Sequence, residues 1–338
     1  MRFKWPDPLF PSRSGEPIVR LSGCAVLAAL FFLVFHIIPA GASQPATPGT
    51  QLPPGIIGSW DITVHSAGGD FPSWLEIRLS GNRTLVGRFV AAFGSARPIA
   101  QVFWHGDQFQ FSLPVQWESL KKDQWMRGTV KEDSITGTTL AYTGKVLKFD
   151  GVRAPDLVRK KEPEWGDPID LFDGTSLNGW IPRGPNSQWV VTNGALTNLK
   201  SGADIMTARK FMDFKLHAEF CCPRESNSGI YLRARYEVQI EDSWGLPPDS
   251  HHTGGIYGFL QPRVNAASKA GEWQTYDITL VGRIVTVTLN GETVINRQEI
   301  PDITGGALDS REGEPGPIFI QGDHGPVSFR NLKVTPAK

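Results

Sequence analysis

Hydrophobic and polar positions alternate with a period of two residues along most of the chain. In the first half, Trp60, Ile62 and Val64 alternate with polar neighbours, and the glycine pair Gly68-Gly69 interrupts the pattern. Successive side chains of a strand point to opposite faces, so this period is typical of strands with one buried face. We therefore predict that residues 55–153 form an antiparallel meander that closes as a small β-barrel or sandwich.

The same alternation continues over residues 169–338, where no segment sustains a helical period with capping residues. Asn193-Gly194 and Asn290-Gly291 each separate two alternating runs. An Asn-Gly pair between such runs is the strongest short-range signal for a β-hairpin. The pattern predicts an all-β second domain, a two-sheet sandwich of the jelly-roll type.

The first 42 residues have a different character. Four basic residues precede the apolar run from Leu21 to Ile38, and Ala40-Gly41-Ala42 follows it. This order is typical of an export signal that is cleaved after Ala42, which predicts a periplasmic or secreted protein. The apolar run is nearly long enough to cross a bilayer, so an uncleaved membrane anchor is the alternative and the only membrane contact that we predict.

Two segments of unusual composition divide the rest of the chain. Residues 43–54 are rich in Pro and Thr and carry no charge, whereas residues 154–168 combine clustered charge with three prolines. Neither segment has hydrophobic periodicity, so both are interpreted as linkers. The predicted order is signal, linker, small β-domain of unknown role, linker and jelly-roll domain.

Charge and cysteine content limit the possible functions. Lys plus Arg and Asp plus Glu each number 34, so the formal net charge is zero. A balanced chain has no general attraction to nucleic acid, and we predict no such partner. Of the three cysteines, Cys24 lies in the predicted signal and Cys221 and Cys222 are adjacent. Stability must therefore come from apolar burial and not from long-range disulfides.

The stretch NSGIYLRARYEVQIEDSW, residues 227–244, carries unusual chemistry between its apolar positions. By alternation, Tyr231 and Arg233 share one exposed face, and Glu237 and Gln239 share another. If the two strands are neighbours, these rows form one patch of acids, amides and an aromatic ring. Such mixtures bind sugars, because carboxylates and amides pair with hydroxyls and aromatic faces cover C–H surfaces.

A series of motifs in the second half resembles a known family. The motifs are Leu171-Phe172-Asp173-Gly174, Leu177-Asn178-Gly179-Trp180, Asn227 to Arg233, Tyr236 to Ile240, Gly254 to Gly258, Gly271-Glu272-Trp273, Leu289-Asn290-Gly291, and the end from Gly316 to Asn331. In this order they are similar to the 3-keto-disaccharide hydrolase family. The resemblance covers about residues 167–338 and none of the first domain. It implies a concanavalin-like jelly roll that acts on glycosides already oxidised to a ketone at C3.

The resemblance also implies roles for individual residues. Glu237 and His324 are the candidate acid and base, and Arg233 is the candidate electrostatic stabiliser. The residues expected to bind substrate are Asn227, Tyr231, Gln239, Asp242, Tyr257, Gln321 and Arg330. Structural alternatives are open for several of them: Arg233 and Glu237 as an exposed ion pair, and Arg330 as the partner of a carboxylate at a strand end.

The chain also departs from the family pattern, and other functions stay open. His251 and His252 lie in an unusual insertion, and with a nearby carboxylate they are candidates for a divalent metal. Adjacent loop histidines are more often solvated, so no cofactor is assigned and the metal is unknown. The alternatives to an enzyme are a non-catalytic carbohydrate-binding module and a cell-surface scaffold. The acid-rich row in residues 227–244 favours catalysis.

Overall fold

The computed structural model describes residues 55–116 and 118–338. The predicted signal at residues 1–42 and the first predicted linker at residues 43–54 lie outside the described residues. Within the described part of the chain, strands are joined by turns and irregular segments, and no helix is present. Accordingly, no described helix is long and apolar enough to cross a bilayer.

The first eight strands form a closed antiparallel barrel in which each strand pairs with the next and the last pairs with the first. The strands are β1 (Gly58–His65), β2 (Phe71–Ser80), β3 (Thr84–Val90), β4 (Arg97–His105), β5 (Gln108–Leu113), β6 (Gln124–Lys131), β7 (Ser134–Leu140) and β8 (Val146–Arg153). Trp60 and Ile62 are fully buried inside, as their spacing predicts. The predicted meander therefore closes as a barrel, and no strand edge is left unpaired.

The remaining strands form two sheets that pack face to face as a jelly-roll sandwich. The five-stranded sheet has the order β10 (Trp180–Pro182), β13 (Ile205–Phe211), β20 (Gly316–Ile320), β15 (Asn227–Leu232) and β16 (Tyr236–Glu241). The second sheet has the order β11 (Trp189–Thr192), β12 (Ala195–Asn198), β21 (Val327–Pro336), β14 (Phe214–Cys221), β17 (Trp273–Val281), β18 (Ile284–Leu289) and β19 (Glu292–Glu299), and β9 (Ile169–Asp170) pairs with β21. The all-β prediction is confirmed.

Both predicted Asn-Gly hairpins are present. Asn193 and Gly194 join β11 to β12 with φ angles of 51° and 73°, and Asn290 and Gly291 join β18 to β19 with φ angles of 51° and 80°. Two consecutive residues with positive φ match the twist of the flanking strands, which is why this dipeptide forms tight hairpins.

The barrel and the sandwich pack together within one compact unit. Trp74 and Val90 of the barrel belong to the same buried apolar cluster as the core of the sandwich. The Trp74 ring meets the Phe259 ring edge-on with centroids 5.6 Å apart. Shared apolar burial of this kind fixes the barrel against the sandwich, so residues from both can line one site.

Candidate functional site

A polar cavity of about 300 Å³ lies between one face of the five-stranded sheet and two loops of the barrel. This volume is at the lower end of the range of small-molecule sites, roughly 300–1,000 Å³. Seven of the ten residues predicted for the site line it: Asn227, Tyr231, Glu237, Gln239, Tyr257, Gln321 and His324.

Strand alternation explains how β15 and β16 deliver these side chains. Ile230 and Val238 face the sandwich core, so the neighbouring positions Tyr231 and Glu237 face the cavity. Tyr231 lies directly opposite Glu237 in the antiparallel register. The prediction of an exposed face is wrong, because Tyr231 and Glu237 are only 2% and 3% exposed. The loop at residues 303–308 and the barrel cover the sheet, which the pattern of a single strand pair does not reveal.

The Tyr231 hydroxyl has two oxygen neighbours. It lies 2.9 Å from Oε2 of Glu237 and 2.9 Å from the carbonyl oxygen of Gly305. A hydroxyl has one proton to donate, and the Gly305 carbonyl can only accept. Both contacts are hydrogen bonds at the same time only when Glu237 is protonated and donates to the Tyr231 oxygen. The geometry therefore favours the neutral carboxylic acid in the resting site.

The environment of Glu237 also favours the neutral carboxylic acid. Burial raises the pKa of Glu237 from 4.5 to about 8, and the hydrogen bond with Tyr231 and the charge of His324 offset only part of that rise. Desolvation penalises a charged carboxylate more than a neutral one. A carboxylate with a raised pKa is also a stronger base than an ordinary glutamate, which suits it to removing a proton from carbon.

Glycine at position 229 leaves room for this carboxyl group. A Cβ atom built on Gly229 lies 2.3 Å from Oε1 of Glu237 and 2.8 Å from its Cγ. We expect Gly229→Ala to displace the Glu237 side chain, because overpacking of a filled site forces neighbours out of position. The expected result is a loss of about 1–3 kcal/mol of stability, measured by thermal unfolding, together with a lower rate of any reaction in which the Glu237 carboxyl group takes part.

Gly313→Ala is the matched control for this substitution. The nearest atom to a Cβ built on Gly313 is 3.7 Å away, an ordinary contact. This variant should retain both the stability and the activity of the parent chain. If Gly229→Ala behaves like the control, the close contact between Gly229 and Glu237 does not constrain the carboxyl group.

His324 is the second titratable group of the cavity and is held by its neighbour in sequence. Its Nδ1 atom lies 2.5 Å from Oδ1 of Asp323, and its side chain is 52% exposed. The hydrogen bond to Asp323 raises the pKa of His324 above its ordinary 6.5. Because Nδ1 is hydrogen-bonded to the Asp323 carboxylate, Nε2 is the ring nitrogen that can contact a substrate. The hydrogen bond to Asp323 thus favours the protonated ring, which can donate a proton from Nε2.

Arg183 and Asp204 are two of the charged cavity-wall residues that were not predicted from the sequence. Arg183 follows β10 and Asp204 precedes β13, and both line the cavity. Nη1 of Arg183 lies 3.5 Å from Oδ2 of Asp204, and its guanidinium lies over the Phe319 ring. Burial raises the pKa of Asp204. Neither residue belongs to a recognisable motif, so only the folding of distant strands into one sheet brings them to Glu237.

Gln321 has an unused hydrogen-bond acceptor. Its Oε1 atom is buried and has no hydrogen-bond partner among the described residues. Buried polar atoms in folded proteins are almost always paired, and an orphan needs a specific explanation. Because Gln321 lines the cavity, a substrate hydroxyl is a suitable partner for this atom.

Arg233 does not reach the cavity, although alternation places it on the same face as Tyr231. Arg233 and Ala234 adopt φ angles of 53° and 57°, and side-chain alternation does not continue through left-handed backbone. The Arg233 guanidinium is fully buried on the core side, where Nη2 donates to the Tyr236 hydroxyl at 2.7 Å. The predicted exposure of Arg233 is therefore wrong, and Arg183 is the arginine of the cavity wall.

Two further predicted residues lie outside the cavity wall. Nε of Arg330 is 2.6 Å from Oε2 of Glu219 on the other sheet, so the structural alternative of a carboxylate partner describes its position. Asp242 accepts a hydrogen bond from the backbone of Glu225 at 3.2 Å. Both residues make contacts outside the cavity. Strand alternation alone does not tell such positions from those that line the cavity.

The described residues do not form the metal site considered for the histidine pair. Nδ1 of His251 is 2.7 Å from Asp249, its Nε2 contacts Ser95, and Nδ1 of His252 is 2.8 Å from a backbone carbonyl. The one described set of three acidic or metal-ligating side chains close enough to share an ion is Asp61, Asp302 and Glu312, whose ligand atoms lie within 4.8 Å of one another. Those residues are not part of the cavity wall.

Comparison with known proteins gives a family for the second domain. The sequence model of a family described as the 3-keto-alpha-glucoside-1,2-lyase-like domain matches residues 167–335. A curated relative from Bacteroides thetaiotaomicron, named 3-keto-disaccharide hydrolase, is 25% identical over an alignment that covers 38% of this chain and 57% of the relative. The chain thus spans little more than half the length of that relative.

The solved structures that are similar to this chain include a candidate glycosyl hydrolase and a β-glucanase. One from Parabacteroides distasonis, described as a candidate glycosyl hydrolase, is 35% identical, with 50% of this chain and 83% of that chain covered and a TM-score of 0.44. The β-glucanase of Bacillus licheniformis is 10% identical, with 53% of this chain and 100% of that chain covered and a TM-score of 0.35.

Proposed function

The chain belongs to the 3-keto-alpha-glucoside-1,2-lyase-like domain family through residues 167–335, and on this basis we propose that it cleaves the glycosidic bond of sugars that carry a ketone at C3. The observation that supports the proposal most directly is the buried carboxyl group of Glu237 in a cavity that also contains His324. A base of raised pKa beside a protonated imidazole is the pair of groups that this reaction needs.

The ketone explains why a carboxylate is a sufficient base. A carbonyl at C3 acidifies the C2 hydrogen, because the electron pair left on C2 is delocalised onto the C3 oxygen. In the proposed first step, ionised Glu237 takes the C2 proton and an enolate forms. The Arg183 guanidinium and the side-chain amides that line the cavity are the donors that would stabilise the negative oxygen in this proposal.

The second step breaks the glycosidic bond. The enolate returns its electron pair to form the C1–C2 double bond and restore the C3 ketone, while the C1–O bond breaks. His324 donates its proton to the departing oxygen, so the leaving group departs as a neutral alcohol. Water can then add to C1, with a proton returning to C2, so that elimination and hydration together amount to hydrolysis.

The ketone at C3 should decide whether a glucoside is cleaved. We expect the full chain to release nitrophenol from p-nitrophenyl 3-keto-α-glucoside and not from the unoxidised glucoside, because only the ketone acidifies the C2 hydrogen. Release is followed by absorbance, and an incubation without protein corrects for spontaneous elimination. Binding of either glucoside without release from the keto form would contradict catalysis and support a carbohydrate-binding module.

The location of the protein is part of the same proposal. The signal pattern in residues 1–42 leads us to propose export with cleavage after Ala42. Sequencing the N-terminus of protein recovered from the periplasm or medium should give Ser43 as the first residue. An intact N-terminus in a membrane fraction would instead support the uncleaved anchor.

A further inference from the structure

The barrel supplies one wall of the cavity, although it lies outside the family match at residues 167–335. Its contribution comes from the end of the loop between β1 and β2, with the first residues of β2, and from the loop between β3 and β4. The residues are Asp70, Phe71, Pro72, Ala92, Phe93 and Gly94. The site on the sandwich is therefore bounded by a surface that the family's own domain does not contain.

Phe93 is the unusual residue of this wall. Its side chain is 54% exposed, although the residue lines a cavity with many polar groups. Its ring meets the Tyr142 ring edge-on with centroids 5.8 Å apart. Because Phe93 lies in the cavity wall, the exposed part of its ring is open to a ligand bound there. Aromatic rings in such positions cover the C–H faces of sugars, while neighbouring acids pair with hydroxyls.

The loop that carries Phe93, residues 91–96, is fixed to the sandwich at both ends. The backbone N–H of Gly306 donates to the carbonyl of Ala92 at 2.9 Å. A Cβ atom built on Gly305 lies only 2.3 Å from the carbonyl oxygen of Gly94, so the two backbones are in close contact. A loop whose backbone is held in this way presents its side chain with a smaller ordering cost when ligand binds.

Further contacts hold the following residues of the loop. Ser95 Oγ contacts the His251 ring, and a Cβ atom built on Gly258 lies 2.7 Å from the Ser95 Cβ. Ala96 packs against the apolar core that the barrel shares with the sandwich. The insertion that contains His251 therefore has a structural partner on the barrel, and it helps to hold the loop beside the cavity.

We propose that loop 91–96 forms the subsite for the leaving group of the substrate, with Phe93 covering the second sugar ring. This inference rests on the proposed function, because the 3-keto ring must lie at Glu237 and His324 on the sandwich side. The rest of a disaccharide then extends toward the opposite wall, which the barrel builds. Asp70, which is exposed and lines the same wall, accepts hydroxyls of that ring.

Two substrates separate this subsite from the reaction centre. They are an α-linked 3-keto-diglucoside, whose leaving group is a sugar, and methyl 3-keto-α-glucoside, whose leaving group is methanol. We expect Phe93→Ala to raise the KM for the diglucoside about 3- to 10-fold, the size of an aromatic contact. The kcat/KM for the methyl glycoside should stay within about twofold of the parent value, which is the scatter of unrelated surface changes.

Phe103→Ala is the matched control, because Phe103 is 55% exposed on the same barrel and is not part of this cavity wall. Phe103→Ala should leave the KM for the diglucoside and the kcat/KM for the methyl glycoside unchanged. Phe93→Trp, which keeps an aromatic ring at this position, should have the parent KM for the diglucoside. Equal losses on both substrates, or no loss on either, would overturn the subsite. If the parent chain turns over neither substrate, the proposed function fails. Calorimetric binding of the unoxidised diglucoside, weakened in Phe93→Ala and not in Phe103→Ala, then decides the subsite alone.

Discussion

Replacing Glu237 by glutamine should lower kcat by about 10²- to 10⁴-fold, the usual contribution of a positioned base, without unfolding the protein. At neutral pH the substitution exchanges one neutral side chain for another of the same shape, because burial raises the pKa of Glu237 to about 8. The glutamine amide can donate to the Tyr231 oxygen as the protonated acid does. Activity and stability should therefore separate in this variant.

The pH dependence of the proposed activity in the parent protein reports the role of Glu237. If Glu237 is the base, kcat/KM should rise with pH as Glu237 ionises near pH 8. Loss of the His324 proton, whose pKa is raised above 6.5 by the hydrogen bond to Asp323, should lower kcat/KM on the alkaline side. If Glu237 is instead the acid, the rate should fall through pH 8. The free energy of unfolding should fall with rising pH over the same range. Because the pKa of Glu237 is higher in the folded protein than in the unfolded chain, the proton on Glu237 stabilises the fold at low pH. This contribution is lost between pH 4.5 and about 8.

Hydrogen exchange in D₂O isolates the first step from bond cleavage. The parent chain should exchange the C2 hydrogen of methyl 3-keto-α-glucoside for deuterium, and Glu237→Gln should not. His324→Asn is the matched variant, because it should keep the exchange and lose release of the leaving group. Exchange that survives in Glu237→Gln at the parent rate would remove Glu237 from proton abstraction and leave the family assignment unaffected.

Local sequence patterns predicted the strands and the hairpins, which depend on interactions between residues close in the chain. The period of two residues and the Asn-Gly turns follow from backbone geometry and from one-sided burial, so they identified the strands and both hairpins. The pairing of β15 with β20, and of β20 with β13, joins segments far apart in the chain. No local rule fixes which distant strand becomes a neighbour, so the cavity floor could not be assembled from the sequence.

The same limit explains the errors in the predicted site. Glu237 and Gln239 were placed correctly relative to each other because they lie on one regular strand. Arg233 was misplaced because it lies in a left-handed turn, where alternation ends. Arg183 was missed because its approach to the cavity depends on β10 joining the edge of the sheet.

A second group of buried acids lies where the barrel meets the sandwich. Asp61 of β1 comes within 4.8 Å of Asp302 and Glu312, which follow β19 in the sandwich. Arg283 donates to Glu312 at 3.2 and 3.1 Å, and the Tyr236 hydroxyl donates to the same carboxylate. With both Glu312 oxygens engaged, a proton on Asp61 or Asp302 is the simplest way to reduce the remaining negative charge.

Asp61→Asn should therefore stabilise the protein at alkaline pH. Burial, followed by the charge of Glu312, raises the pKa of Asp61 from 3.8 to about 8, although the charges of Arg283 and Arg235 oppose this rise. Because the folded state holds a proton that the unfolded chain loses, the stability of the parent protein should fall between pH 3.8 and about 8. Removing the ionisable group should recover on the order of a few kcal/mol at the upper end of that range, measured as the thermal midpoint against pH.

The control for this effect is Asp123→Asn, which removes an exposed carboxylate of the same barrel and should leave the pH profile of the thermal midpoint unchanged. The parent slope should not vanish in Asp61→Asn, since the pKa values of Asp302 and Glu237 are raised by burial as well. A divalent cation gives a different pattern: added calcium would raise the parent midpoint and have a smaller effect on Asp61→Asn. Parallel profiles for the parent and Asp61→Asn, with or without calcium, would show that Asp61 is charged in the folded protein and that another group compensates its burial.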